Sequence, residues 1–211
     1  MIMKNLGILS LLVLLILSMG FFTSCDDNED VTPDPVLVMT DEEQHDLLYM
    51  REEEKLARDV YNYMYTKYGL KAFKNIGKSE QKHMDKLLVI INKYGLTDPV
   101  ALSPEVGQFS NADLQSLYDA LIAKGDVSLE EALVVGATIE DVDIFDLDNA
   151  IDKTNNADLL DAYANLNCGS RNHMRAFNGQ LESKGITYIP QYISQAQFDT
   201  TINSDKEQCG Q

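Results

Sequence analysis

The chain has 211 residues, with 34 acids against 17 Lys and Arg, and a formal net charge of −17. Hydrophobic residues make up 45%, with 12 Gly, 5 Pro and no Trp, which excludes wholesale disorder, collagen-like repeats and a coiled coil throughout. An acidic surface repels a polyanion, so nucleic acid is excluded as a partner while metal cations stay open, and three Cys exclude a disulfide scaffold.

Met1 to Lys4 give a short basic start, and Leu6 to Phe22 are almost entirely apolar. A short apolar run behind a basic residue and ahead of small residues has the form of a secretory signal. Phe22-Thr23-Ser24-Cys25 resembles a bacterial lipobox, with Phe22 where Leu is usual. That resemblance implies a signal peptide over 1–24 and a mature chain starting at a lipidated Cys25. The alternative is an uncleaved membrane anchor. Residues 26–40 hold five acids, no base, and Pro33 and Pro35. They cannot bury a core, so a flexible acidic tether is expected. Acids directly after a lipidated Cys resemble surface-export signals of some Gram-negative lineages. The expected place of the folded part, 41–211, is the cell envelope. The outer membrane, on its periplasmic or outer side, is touched only through the lipid.

After residue 40 the pattern is helical. Thr40 and Glu43 have capping-box spacing. Leu47, Met50, Glu54, Ala57, Tyr61, Met64 and Tyr68 then recur in steps of three and four until Gly69. The second stripe is Ile76, Glu80, His83, Leu87, Ile90 and Tyr94, with Lys78 or Ser79 near its start and Gly95 at its end. Residues 96–127 form a connector with Pro99, Pro104, Gly107 and Gly125, and one short amphipathic helix over Asn111 to Lys124. Ser128 with Glu131 opens the third long helix, carrying Leu129, Leu133, Gly136, Glu140, Asp143 and Leu147. Thr154-Asn155-Asn156 is a turn. The fourth carries Tyr163, Leu166, Ser170, His173, Phe177 and Leu181, and Gly185 ends it. The tail from Ile186 to Gln211 is mixed, with Tyr188, Ile189, Tyr192, Ile193 and Phe198 available to pack on the bundle. No pattern supports a sheet, so the fold class is all-α.

Each stripe is interrupted in its middle by polar residues. These are Glu54 on the first helix, Glu80 and His83 on the second, Glu140 and Asp143 on the third, and Ser170 and His173 on the fourth. Positions three or four apart share a helix face. In each antiparallel hairpin these residues are equidistant from the turn, so all four helices bring them to one depth. The long link between the second and third helices suits a bundle with one crossover connection. Four unpaired carboxylates in such a core would each cost several kcal/mol. Two divalent cations would match their charge, and two imidazoles would supply neutral nitrogen. Four carboxylates with two His is the ligand set of di-iron and di-manganese carboxylate bundles. The alternative is a metal-free polar network, with Arg58 or Arg171 as partners.

The string Glu54-Lys-Leu-Ala57-Arg58-Asp-Val-Tyr61 resembles the first metal helix of rubrerythrin-like proteins, and Glu80-Gln-Lys-His83 resembles the Glu-x-x-His of their second. Further strings, Arg51 to Tyr61, Asn75 to His83, Glu131 to Leu147 and Ser170 to Phe177, resemble the ferritin-like domain-of-unknown-function family 2202 over about residues 41–200. The resemblance implies a ferritin-like four-helix bundle whose crossover carries the short extra helix. It implies two Fe or Mn ions as cofactors, held by Glu54, Glu80, His83, Glu140, Asp143 and His173, and oxidase, peroxidase or metal-handling activity. One departure is plain. The fourth helix reads Ser170-x-x-His173 where a second Glu-x-x-His is usual, and Glu140-x-x-Asp143 replaces the missing carboxylate only if Asp143 faces inward.

Tyr61 is expected to pack in the core, or to support the ligands together with Ser170. His45 is expected at the surface, as are Glu52, Glu53, Glu130, Glu131 and Asp141, as solvated faces or caps. With Cys25 lipidated, Cys168 and Cys209 remain. They either pair and pin the tail to the fourth helix, worth roughly 3–4 kcal/mol for a loop of about 40 residues, or stay a buried and a free thiol. No Cys-x-x-Cys, phosphate loop or nucleophile–base set stands out. The competing function is a metal-free binding module on the cell envelope; a third is a scavenger of cations without redox turnover.

Overall fold

A computed structural model describes residues 38–209. The signal 1–24, Cys25 and the tether as far as residue 37 lie outside the described residues. Those described form seven helices and no strand. In α1 (Asp41–Tyr68) the Thr40 side chain accepts from the Glu43 N–H, and the Glu43 carboxylate accepts from the Thr40 N–H, closing both halves of the capping box. Gly69, at φ 68, stops the helix and donates its N–H to the Tyr65 carbonyl. α2 (Lys71–Lys93) begins well before Lys78 or Ser79, with no side-chain cap at Leu70. Its start is set by packing: Phe73 is buried against Tyr61 and Phe177, which extends the apolar stripe upstream.

The connector holds two helices where the sequence showed one. α3 (Pro99–Leu102) is a single turn opened by Pro99 and capped by Asp98, and α4 (Ala112–Gly125) is capped by Asn111. α5 (Leu129–Lys153) starts at Ser128, whose hydroxyl accepts from the Glu131 N–H. α6 (Ala157–Glu182) starts at Asn156. Within the mixed tail lies α7 (Gln195–Asn203). α1 packs on α2 and α5 on α6, and the two pairs meet through α1 against α5 and α2 against α6. α4 lies on α1 and α5, and α7 lies on α6. None of these helices is long and apolar enough to cross a membrane.

The buried apolar residues fall into two clusters. One gathers Leu56, Tyr61, Phe73, Leu133, Phe177 and Phe198; the other gathers Leu47, Leu87, Leu147, Tyr163 and Leu166. Along each long helix the interrupting residues of the stripe stand between these clusters, and all are buried. The first cluster is closely packed. A Cβ on Gly136 would come within 2.4 Å of the Phe177 ring, so only glycine lets α5 approach there.

Glu52, Glu53 and Asp141 are buried, against the expectation of solvated surface. The connector and the tail cover helix faces that a count of four helices leaves to water, and they bring donors with them. Glu52 accepts from the Ser110 and Asn111 N–H groups. Asp141 accepts from the N–H groups of Gln191, Tyr192 and Ile193 and from the Tyr188 hydroxyl. Arg51 makes a two-pronged pair with Asp98. Lys55, fully buried, donates to Asp59 and to the carbonyls of Glu105 and Gln108. Glu130 pairs with Lys184, and His45 is exposed. A disulfide joins Cys168 to Cys209. Beside it, Arg171 and Arg175 both hold Glu207.

Candidate metal centre

Five side chains from the four long helices meet between the two apolar clusters. Glu54 comes from α1, Glu80 and His83 from α2, Glu140 from α5 and His173 from α6. Their ligand atoms form two triads. Glu54, Glu80 and His83 make one, Glu80, Glu140 and His173 the other, each with its atoms within 4.8 Å of one another, and Glu80 belongs to both. The i,i+3 spacing of Glu80 and His83 places both on the inner face of α2. His83 Nδ1 stands 2.8 Å from Glu80 Oε2 and 3.1 Å from Glu54 Oε2. His173 Nδ1 stands 2.9 Å from Glu80 Oε1 and 3.4 Å from Glu140 Oε2.

Closeness is not pairing here. Both Glu80 oxygens, Glu140 Oε2 and His173 Nδ1 are sealed from solvent and have no hydrogen-bond partner among the described residues. Buried polar atoms in folded proteins are nearly always satisfied. Atoms that converge without hydrogen-bond geometry are what a shared cation would satisfy, so the donor set fits one. Tyr61 donates its hydroxyl to Glu140 Oε1, which orients that carboxylate.

The electrostatics agree with a place that lacks positive charge. Burial pushes the Glu54 carboxyl up to about 7, although His83 opposes it. Burial likewise raises Glu140 against the pull of His173. Asp143 is pushed well above the carboxylate range by burial and then by Glu54 and Glu53. Burial also works against the Glu80 carboxylate, but His173 and His83 outweigh it and hold the group below its usual value. Burial favours neutral imidazoles, yet Glu54 and Glu80 raise His83 to about 10. Glu80 and Glu140 raise His173 in the same way. In the absence of metal, the two imidazoles hold protons and the Glu80 carboxylate stays ionised between them.

Asp143 is buried beside the triads but belongs to neither. One turn along α5 from Glu140, it accepts from the Ser170 hydroxyl at 3.4 Å. Ser170 thus touches a carboxylate from the position where a fourth-helix acid was missing. Arg58 and Arg171 do not serve the site. Arg58 bonds Asp59 and Gln81, and Arg171 bonds Asn167 and Glu207. Two nearby residues escaped sequence reasoning. Glu53 is buried with both oxygens unpartnered; it lies three residues after Met50 and four before Ala57, so spacing alone did not choose between it and Glu54. Gly169 lets the His83 ring lie against α6, since a Cβ there would stand 2.6 Å from His83 Nε2. A glycine inside a long helix costs about 1 kcal/mol relative to alanine, which was an available signal.

Residues 43–205 match the family model described as "Uncharacterized protein domain (DUF2202)". The chain is 50% identical over 173 residues to the "Uncharacterized protein MJ0754" of Methanocaldococcus jannaschii, covering 82% of this chain and 93% of that one. The crystal structure of hypothetical protein MJ0754 from Methanococcus jannaschii is similar with a TM-score of 0.80, at 49% identity, over 83% of this chain and 100% of that one. With the family model spanning nearly all of the helices, the chain belongs to the DUF2202 family.

Proposed function

We propose that this protein is a ferritin-like metalloprotein that binds two Fe or Mn ions between α1, α2, α5 and α6. The observation that carries the reading is the pair of triads sharing Glu80, with buried ligand atoms that lack hydrogen-bond partners. Glu80 would bridge, His83 with Glu54 would serve one ion, and His173 with Glu140 the other. Asp143 is the candidate supplementary carboxylate. Such a pair of ions supplies two-electron chemistry with oxygen or peroxide. The chain's own part is to fix the ligands, to orient Glu140 through Tyr61, and to seal the carboxylate side of the centre from solvent. The N-terminal segment fits a lipoprotein signal over 1–24, lipidation at Cys25 and an acidic tether, with 41–211 carried on the cell envelope. Metabolic labelling with palmitate should mark the chain and fail for Cys25→Ser; equal labelling of both would end that part of the reading.

The competing reading is a metal-free scaffold. In its favour, His83 and Glu54 hydrogen bond to each other. It leaves Glu80 without a partner, which is why the metal reading is preferred. Elemental analysis of chain folded with Fe and Mn supplied separates the two. Uptake near two ions per chain supports the proposal, and less than about 0.2 with no gain in thermal stability refutes it. The pH dependence has a fixed sign. Glu54 at about 7 and His83 at about 10 hold protons at neutral pH, and a metal must displace them. Uptake therefore releases protons, and affinity rises with pH through neutrality and falls on acidification. Affinity that is flat from pH 6 to about 8 would contradict this.

A further inference from the structure

A groove of about 590 Å³ opens between α2 and α6, with the tail residues 206–209 as its outer wall. His83 and His173 lie on its floor with Gly169 between them, and Lys82 and Lys206 stand on its rim. The two imidazoles stack with centroids 5.7 Å apart and turn Nδ1 toward the carboxylates. Their Nε2 edges are left on the other side, without a protein partner among the described residues. Gly169 shows where the His83 edge goes: its Nε2 fills the space a side chain at 169 would need, at the groove floor. With Nδ1 committed to a cation, the proton of a neutral ring sits on Nε2, so each ring offers the groove an N–H donor.

The rim reverses the sign of the molecule. Among the described residues lining the groove, Glu207 is the one acid, and Arg171 and Arg175 already neutralise it. Lys82 and Lys206 are left over, on a chain whose formal charge is −17. A cationic cleft on an acidic protein concentrates small anions. The remaining polar groups of the lining, such as the amide of Asn165, donate as readily as they accept.

We infer that this groove binds a small carboxylate or oxyanion, held by the Nε2 edges of His83 and His173 and by Lys82 and Lys206. This places an anionic substrate or co-ligand on the histidine side of the centre, and in its donor chemistry it rests on the metal reading above. The test is calorimetric titration of formate into the full chain, metal-free and Mn²⁺-treated, with Mn content measured on the same samples. Saturable binding is expected in the Mn²⁺ sample. Lys82→Gln with Lys206→Gln should weaken it about tenfold while leaving Mn content unchanged. Formate affinity equal in the chain and the double variant, or no saturable binding, overturns the inference. If no Mn is retained, the metal reading fails on its own. The metal-free titration then decides the groove: binding that the double variant loses sustains it, and no binding overturns it.

Discussion

If the proposed pair of ions is bound, Glu80→Gln is expected to empty the centre, taking metal content from near two ions per chain to under about 0.2, because one side chain would serve both. Glu80 is the one residue shared by the two triads. Its substitution would remove one of the two carboxylates that each triad offers an ion. Glu54→Gln and His173→Ala each touch a single triad and should leave about one ion bound. Elemental analysis of the three variants, side by side, reads this directly. Equal metal content in Glu80→Gln and the parent chain would refute the shared ligand. Equal loss in all three would show that the ions bind only as a pair. Glu80→Gln is also close to isosteric, so its circular dichroism should stay helical, which separates ligand loss from unfolding.

Asp59→Ala is expected to cost about 3–5 kcal/mol of stability, the largest effect away from the centre. Lys55 is buried without exposure, and its ammonium stands 2.8 Å from Asp59 Oδ2. Asp59 also accepts from Arg58 and from the Gly107 N–H. Removing it leaves a sealed cation with only two carbonyls and frees the connector at Gly107. Urea denaturation measures the loss, and a change under about 1 kcal/mol would show that the carbonyls alone satisfy Lys55. Lys55→Met combined with Asp59→Leu removes the buried charges together. It should recover part of the loss but not the hold on the connector, whose Gln108 carbonyl would lose its donor while the Glu105 carbonyl keeps the Gln108 N–H.

Much of this architecture was legible in the order of residues. The four stripes are buried except at their ends, where Tyr68, Tyr94 and Leu129 are partly exposed, and their interruptions at Glu54, Glu80, His83, Glu140 and His173 come together because each lies a matched distance from its turn. Periodicity reports one face of a helix, and that is where legibility ended. Arg51, Glu52, Lys55 and Asp59 lie on the other side of α1 and are charged, so they look solvated. They are buried because the connector lies over them and bonds to them. Asp141 has the same history with the tail. The start of α2 was missed because no cap marks it and Phe73 does the anchoring. Asp143 shows a finer limit. Spacing puts it on the inner face of α5 but does not decide between a ligand position and the Ser170 hydroxyl.

The division of the apolar core has a consequence for how the molecule holds together. The two clusters meet across a layer of charge, and among the described residues Tyr49 is the hydrophobic side chain that packs against both. Beyond that one ring, cohesion between the ends passes through whatever neutralises the layer. A bound ion pair would act there as a rivet, making the long helices open as one unit. When only protons fill the layer, the ends are freer to breathe separately, at the level of local opening rather than global unfolding. Occupancy of the centre would then be felt as stiffness along the whole length of the bundle.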